Sequence, residues 1–177
     1  MKSFSQNKQD IFVLEQTNFL KNGLFVDIAA GHPQYINNTF LLESEYQWDG
    51  ISIEIDSKFA TEWKSRNSLF LNEDAFKIDY TQIFNNLLKK HNKNNFCFNY
   101  LSLDLEPPDL TNKLLHILPL KTYKFDVITY EHDFYRVGNK YKIDAKDYLY
   151  SMGYKIIKEN LEHDGHIYED WYVFNND

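Results

Sequence analysis

The sequence predicts an α/β fold of about seven strands, mostly parallel, with one antiparallel strand supplied by a C-terminal hairpin. Three observations predict it. Short apolar runs alternate with helix-period segments from residue 25 to residue 152, the pattern of parallel strands joined by crossover helices. The run over 98–105 is the most apolar in the chain, as expected of a strand central in a buried sheet. Near the end, His163-Asp164-Gly165-His166 separates two β-rich stretches, and Asp-Gly there is a strong hairpin signal.

The elements follow in order. An opening helix is expected over 6–19, with Phe12, Val13, Phe19 and Leu20 on one face. Strand one covers 25–30. A helix near 38–46 has Asn37 or Asn38 as its N-cap. Strand two covers 51–55, and Ser57 caps a helix reaching about Arg66. A short strand over 69–71 leads to Asn72-Glu73-Asp74-Ala75. A helix over 80–90 places Ile83, Phe84, Leu87 and Leu88 on one side. After the strand over 98–105, Pro107 and Pro108 break the run, and Asp109 or Thr111 starts a helix to about Ile117. Strand five covers 125–130. A helix over 142–152 ends at Gly153, and strands over 155–160 and 170–174 close the chain.

Right-handed crossovers make the first five strands parallel, and the hairpin forces one antiparallel strand. That is the layout expected of class I methyltransferases, a Rossmann-like sandwich, here as a single domain over 1–177 with residues 1–20 as a helical lid or packing segment.

Composition narrows the partners. The formal charge is -7 and the pI about 5.3, with acids and bases interspersed, which argues against nucleic-acid binding. The basic run Lys89-Lys90-His91-Asn92-Lys93 reads as a solvated helix end. The lone Cys97, between Phe96 and Phe98, excludes an intramolecular disulfide and reads as a core residue. The first residues carry no apolar leader and no run reaches membrane-spanning length, so a cytoplasmic protein without membrane attachment is expected.

The segment Phe-Val-Asp-Ile-Ala-Ala-Gly-His-Pro over 25–33 is a strand entering a small-residue turn. The next strand, Gly-Ile-Ser-Ile-Glu-Ile-Asp over 50–56, ends in acids. This order builds a cleft for a nucleoside-bearing cofactor, because a terminal acid can accept hydrogen bonds from both ribose hydroxyls. A phosphate cradle needs several glycines. Here Gly31 stands alone, with no Lys-Ser/Thr pair after it, so the cofactor should carry a ribose but little or no phosphate. S-adenosylmethionine fits; NAD and ATP fit poorly.

In sequence order, Ser5-Gln6-Asn7-Lys8-Gln9-Asp10, the 25–33 turn, Asn38-Thr39-Phe40-Leu41-Leu42-Glu43, Trp48-Asp49-Gly50-Ile51-Ser52-Ile53-Glu54, Leu101-Ser102-Leu103-Asp104-Leu105-Glu106 and Ile128-Thr129-Tyr130-Glu131-His132-Asp133, followed by Gly153-Tyr154, resemble the FkbM family of methyltransferases. The similarity spans essentially the whole chain. It implies S-adenosylmethionine-dependent O-methylation, usually of a sugar or of a hydroxyl on a secondary metabolite. It also implies that Asp27 orients the turn and the methionine ammonium. The family commonly has glycine where Ala29 stands. Alanine is tolerated there if φ stays negative, although its methyl narrows the approach to the cofactor.

The cofactor-binding candidates are Asp27, Ala29, Gly31, Asn38, Thr39, Glu54, Asp74, Ala75 and Asp104. Glu54 is the ribose candidate ahead of Asp56. Asp74 and Ala75 sit where this fold reads adenine, with a plain loop cap as the alternative for Asp74. Asn38 and Thr39 would present a helix N-terminus to the cofactor carboxylate. The catalytic candidates are Asp104, Glu106, Glu131 and His132. Asp104 and Glu106 share a face at the end of the central strand, where a carboxylate can take a proton from an acceptor hydroxyl. Alternatively Asp104 only binds the methionine moiety and Glu106 caps the next helix. His132 is the histidine candidate for a base, imidazole being the side-chain type suited to that role, and a structural histidine is the other reading. Asp104, Glu106, Glu131 and His132 are compatible with Mg²⁺ or Mn²⁺, but no spacing demands it and no metal ligand is assigned.

The expected acceptor is a small molecule or glycan. Phe134, Tyr135 and Tyr141 are candidates to stack on a sugar, with Arg136 or Lys140 meeting an anionic group, and His32 is a candidate to line the cleft. So short a chain leaves the cleft open for a homodimer to complete. Two other readings compete: a metal-dependent glycosyltransferase using Asp104 and Glu106, and a non-catalytic relative of the fold.

Overall fold

A computed structural model describes residues 1–175. Helix α1 (Gln9–Gln16) precedes strand β1 (Leu24–Ile28), α2 (Phe40–Tyr46), β2 (Asp49–Ile53) and β3 (Leu69–Leu71). Then come α3 (Tyr80–Lys90), β4 (Cys97–Leu103), α4 (Pro108–Ile117) and β5 (Lys124–Glu131). The short α5 (Phe134–Val137), α6 (Lys140–Ser151), β6 (Tyr154–His163) and β7 (His166–Phe174) complete the fold.

The strands form one sheet in the order β3-β2-β1-β4-β5-β7-β6. The first five are mutually parallel, and β7 lies antiparallel between β5 and β6. Six strands therefore share one direction and β7 opposes them, as the sequence predicts. From β1 the chain runs outward to β2 and β3, then returns to place β4 on the other side of β1. That reversal opens a crevice at the carboxyl ends of β1, β2 and β4, which positions the site.

Two cores flank the sheet. On one face Phe84, Leu87 and Leu88 of α3, Leu114 and Leu115 of α4, and Ala145 and Leu149 of α6 pack on Val26, Ile28, Leu101 and Ile128. On the other, Phe12, Val13 and Leu14 of α1 and Leu41 and Leu42 of α2 meet Phe25, Tyr100 and Trp171. Phe84 sits among Phe98, Tyr123 and Phe125, with ring centroids 4.9, 5.2 and 5.9 Å away. Truncating such a fully enclosed ring costs about 3–5 kcal/mol. Asp79 caps α3 by accepting the Gln82 N–H at 2.9 Å.

Several boundaries differ from expectation. The opening helix is shorter, because Lys8 before it and Asn18 and Phe19 after it take positive φ. The segment after β2 forms two 3₁₀ turns, Ser57–Phe59 and Glu62–Ser65, rather than one helix, and Asp56 rather than Ser57 caps the first. Thr39 holds the N-cap position of α2, its own N–H accepted by Asn37 Oδ1 at 3.0 Å. Pro108 opens α4, one residue before the expected start; a proline is well placed in a first turn, which needs no N–H there. Gly153 ends α6 as expected, at φ 92°. Cys97 is half-buried at the start of β4 rather than in the core, donating to Asn95 O at 3.1 Å. Among the described residues no helix is long and apolar enough to cross a membrane.

Candidate functional site

A cleft of about 420 Å³ opens at the crevice, and Ala29, Glu54, Asp74, Ala75, Asp104, Glu106 and Glu131 all line it. Seven of the residues singled out from sequence thus converge on one cavity.

The turn after β1 is held by its backbone. The N–H groups of Ala29 and Ala30 both donate to Ile53 O, at 2.9 and 3.1 Å. Ala29 has φ 62°, against the negative φ that would make an alanine comfortable there. The conformation costs an alanine about 1–2 kcal/mol, so the pinching of this turn onto β2 must hold it in place. Gly31, at φ 58°, has open space where a Cβ would lie; its requirement is conformational, not steric. Its N–H donates to Glu54 Oε2 at 2.9 Å, and its carbonyl accepts Trp63 Nε1–H at 2.9 Å. Glu54 Oε1 accepts the Asp56 N–H at 2.7 Å. Two backbone donors aim this carboxylate while leaving further lone pairs for a ligand.

Asp27, Asn38 and Thr39 are drawn together next to the cleft but do not line it. Thr39 Oγ1–H donates to Asp27 Oδ2 at 3.0 Å, and Asn38 Nδ2–H donates to Ser102 Oγ at 3.1 Å. Burial pushes the Asp27 carboxyl up to about 6, against the Thr39 and Ser102 hydroxyls that favour its charge. Arg66, which the sequence reading passed over, binds this layer into a unit. It donates to Pro33 O at 2.6 Å, to Thr39 Oγ1 at 3.2 Å and to Glu43 Oε2 at 2.7 Å. No local signal marks it, because its partners come from elsewhere in the chain and its own segment is irregular.

Asp74 is the loop cap, its Oδ1 accepting the Phe76 N–H at 2.9 Å at the start of the 3₁₀ turn Ala75–Lys77, and it also lines the cleft.

At the far end, Asp104 and Glu131 are half-buried neighbours whose carboxyls interact across the cleft wall. Desolvation raises both carboxyls, and mutual repulsion raises Glu131 further. Two carboxyls side by side cannot both ionise at ordinary cost, so the pair as a whole keeps a proton to higher pH than isolated carboxyls would. Glu106 is exposed, and both its oxygens lie 2.6 Å from Arg136 Nη1, which also donates to Asp133 Oδ2 at 2.7 Å. Carboxylate oxygens of Glu106, Glu131 and Asp133 lie within 4.8 Å of one another, a spacing a divalent cation can use. Glu169, also unforeseen, stands opposite Glu131 in the β5–β7 pairing and accepts from Gln9 Nε2 at 2.9 Å and Trp171 Nε1 at 2.6 Å. Burial pushes it up to about 8. It stands beside Asp170 in β7, and nothing in that local pattern marks which of the two acids faces Glu131.

His132 does not join the site. Just past the end of β5, it turns away from the cleft that Glu131 lines. It is fully buried, its Nδ1 accepting the Phe134 N–H at 3.2 Å and its Nε2 3.4 Å from Asp170 Oδ1. His32 instead organises its own loop, Nδ1 accepting the N–H groups of Gln34 and Tyr35 at 3.1 and 3.0 Å. Of the residues proposed to meet the acceptor, Arg136 is already paired with acids, and Tyr135 packs on the His166 ring at 4.7 Å.

No protein-family model matches the chain, and no curated protein matches it in sequence. Solved structures do. Magnesium protoporphyrin IX methyltransferase (ChlM) from Synechocystis PCC 6803, solved with bound SAM, aligns with a TM-score of 0.57 at 12% identity, covering 96% of this chain and 79% of that one. A putative rRNA methylase from Clostridium thermocellum aligns with a TM-score of 0.59 at 10% identity, over 98% of this chain and 97% of that one. An rRNA methylase from Streptococcus thermophilus gives 0.54 and 11%, over 98% of each chain. At such identities the likeness is one of fold: the chain is built on the seven-stranded sheet of class I methyltransferases.

Proposed function

We propose that this chain is an S-adenosylmethionine-dependent O-methyltransferase of the FkbM type, acting on a hydroxyl of a sugar, glycan or related metabolite. The observation that carries this reading is the convergence of Glu54, Asp74 and the Asp104–Glu131 pair on one cleft at the switch point of a class I methyltransferase sheet. Glu54, aimed by the Gly31 and Asp56 N–H groups, accepts both ribose hydroxyls. Asp74 and the Ala75 backbone take the adenine edge. Asp27, through Thr39, steadies the turn beside the methionine end.

Bound there, the cofactor supplies an electrophilic methyl group on a sulfonium. The protein's part is to align the acceptor oxygen with that methyl and to take its proton late. Asp104 is the proton acceptor, and Glu131 beside it is the partner that keeps the pair's proton. His132, buried and facing Asp170, has no part in the step.

The charge of the cleft bears on the acceptor. Glu54, Glu73, Asp74, Asp104, Glu106 and Glu131 line it, and among the described residues no lysine or arginine does. Such a wall attracts a sulfonium and repels phosphate, which favours a neutral or amine-bearing acceptor over nucleic acid or a sugar diphosphate. The test is transfer of labelled methyl from S-adenosylmethionine to neutral glycosides, aminosugars and nucleotide sugars, with D104N as control. Labelling of the uncharged or amine-bearing acceptors, lost in D104N, supports the reading. Mn²⁺-dependent binding of a nucleotide sugar, without S-adenosylhomocysteine binding, sinks it.

A further inference from the structure

Residues 3–10 form a strap across the carboxyl edge of the sheet. Asp10, fully buried, accepts hydrogen bonds from Ser3 Oγ at 2.6 Å, the Phe4 N–H at 2.8 Å, Ser5 Oγ at 2.9 Å and the Ile11 N–H at 2.8 Å. These close the segment into a compact turn. Its first end is tied to the loop after β1: Phe4 O accepts the Asn37 N–H at 3.0 Å, and the Phe4 ring meets Phe40 edge-on at 4.7 Å. Its second end is tied to the C-terminal hairpin. Gln9 donates to Glu169 Oε2 at 2.9 Å and Tyr168 Oη at 3.1 Å, and Asn7 Nδ2 donates to Glu162 O at 3.0 Å. Since β4 and β5 lie between β1 and β7, the strap passes over the strand ends that carry Asp104 and Glu131. Gln6 is at its middle, exposed, and lines the cleft.

Among the described residues that line the cleft, Gln6 alone has a side-chain N–H; the others are acids or apolar groups. A cofactor with an amino-acid tail brings ribose hydroxyls and an ammonium, which the acids suit. It also brings a carboxylate, which they repel. We propose that the Gln6 carboxamide donates to that carboxylate, making Gln6 a cofactor-contacting residue and Asp10 the residue that positions it. This rests on the S-adenosylmethionine reading.

Calorimetric titration with S-adenosylhomocysteine and with methylthioadenosine, which keeps the nucleoside but lacks the carboxylate, tests it. Gln6→Ala should weaken S-adenosylhomocysteine about tenfold or more, the loss of a hydrogen bond to a charged group, and leave methylthioadenosine unchanged. Gln6→Glu should weaken S-adenosylhomocysteine further. Neither should move the melting temperature of the free protein, because Gln6 is exposed. Equal affinities in wild type and Gln6→Ala, or equal losses for both ligands, overturn the assignment. Absence of S-adenosylhomocysteine binding in the wild type removes the cofactor reading itself.

Discussion

Glu54 accepts the Gly31 N–H through Oε2 at 2.9 Å, so one carboxylate joins the turn after β1 to the end of β2. The acid expected to read ribose is also a fastener of the turn beneath it. Glu54→Gln sets an amide where two backbone donors require acceptors. S-adenosylhomocysteine affinity should fall about ten- to a hundredfold, and the melting temperature should fall with it. Calorimetry and thermal denaturation of the same variant check both.

Asp104→Asn should lower kcat by roughly 10²–10⁴-fold while changing S-adenosylhomocysteine affinity little, because the group acts on the acceptor's proton. In the wild type, burial raises Asp104 to about 7, so kcat should climb as pH rises through neutrality. A kcat independent of pH between 6 and 8 would argue against Asp104 as base.

Ala29→Gly should stabilise the protein. At φ 62° the alanine bears a left-handed penalty that glycine avoids, partly offset by glycine's greater freedom when unfolded. A net gain of about 0.5–1 kcal/mol is expected in chemical denaturation. A loss would mean that the alanine methyl makes a contact worth more than the strain.

The architecture was legible because it rests on local periodicity: the spacing of Ile83, Phe84, Leu87 and Leu88 gives α3, and Asp-Gly at 164–165 gives the hairpin. The acids lining the cleft were legible because strand ends converge where a parallel sheet reverses. Side-chain direction was less so. His132 follows Glu131 in sequence, yet just past the end of β5 it is buried against Asp170 while Glu131 lines the cleft. Arg66, Gln9 and Glu169 act through partners distant in sequence, and a single chain carries no local mark of such pairings. The sign of φ at Ala29 likewise depends on the bonds to Ile53 O.

The buried acids also set a pH dependence of stability. Burial pushes Asp27 up to about 6, Asp104 to about 7 and Glu169 to about 8. Unfolded, each would titrate near 4, so between about pH 4 and pH 8 the folded chain holds more protons than the unfolded one. Stability is then greatest at the acidic end of that window and falls as pH rises through the folded values. The melting temperature should be higher at pH 5 than at pH 8.5. A flat or rising profile would mean that these carboxyls are ionised in the folded protein.

The central claim is that the cleft between β1, β2 and β4 is a cofactor site. Isothermal titration of the wild-type protein with S-adenosylhomocysteine tests it most directly. The account predicts one site per chain with micromolar affinity, abolished in Glu54→Ala. No heat of binding at millimolar ligand, together with an unmoved melting temperature, would contradict it.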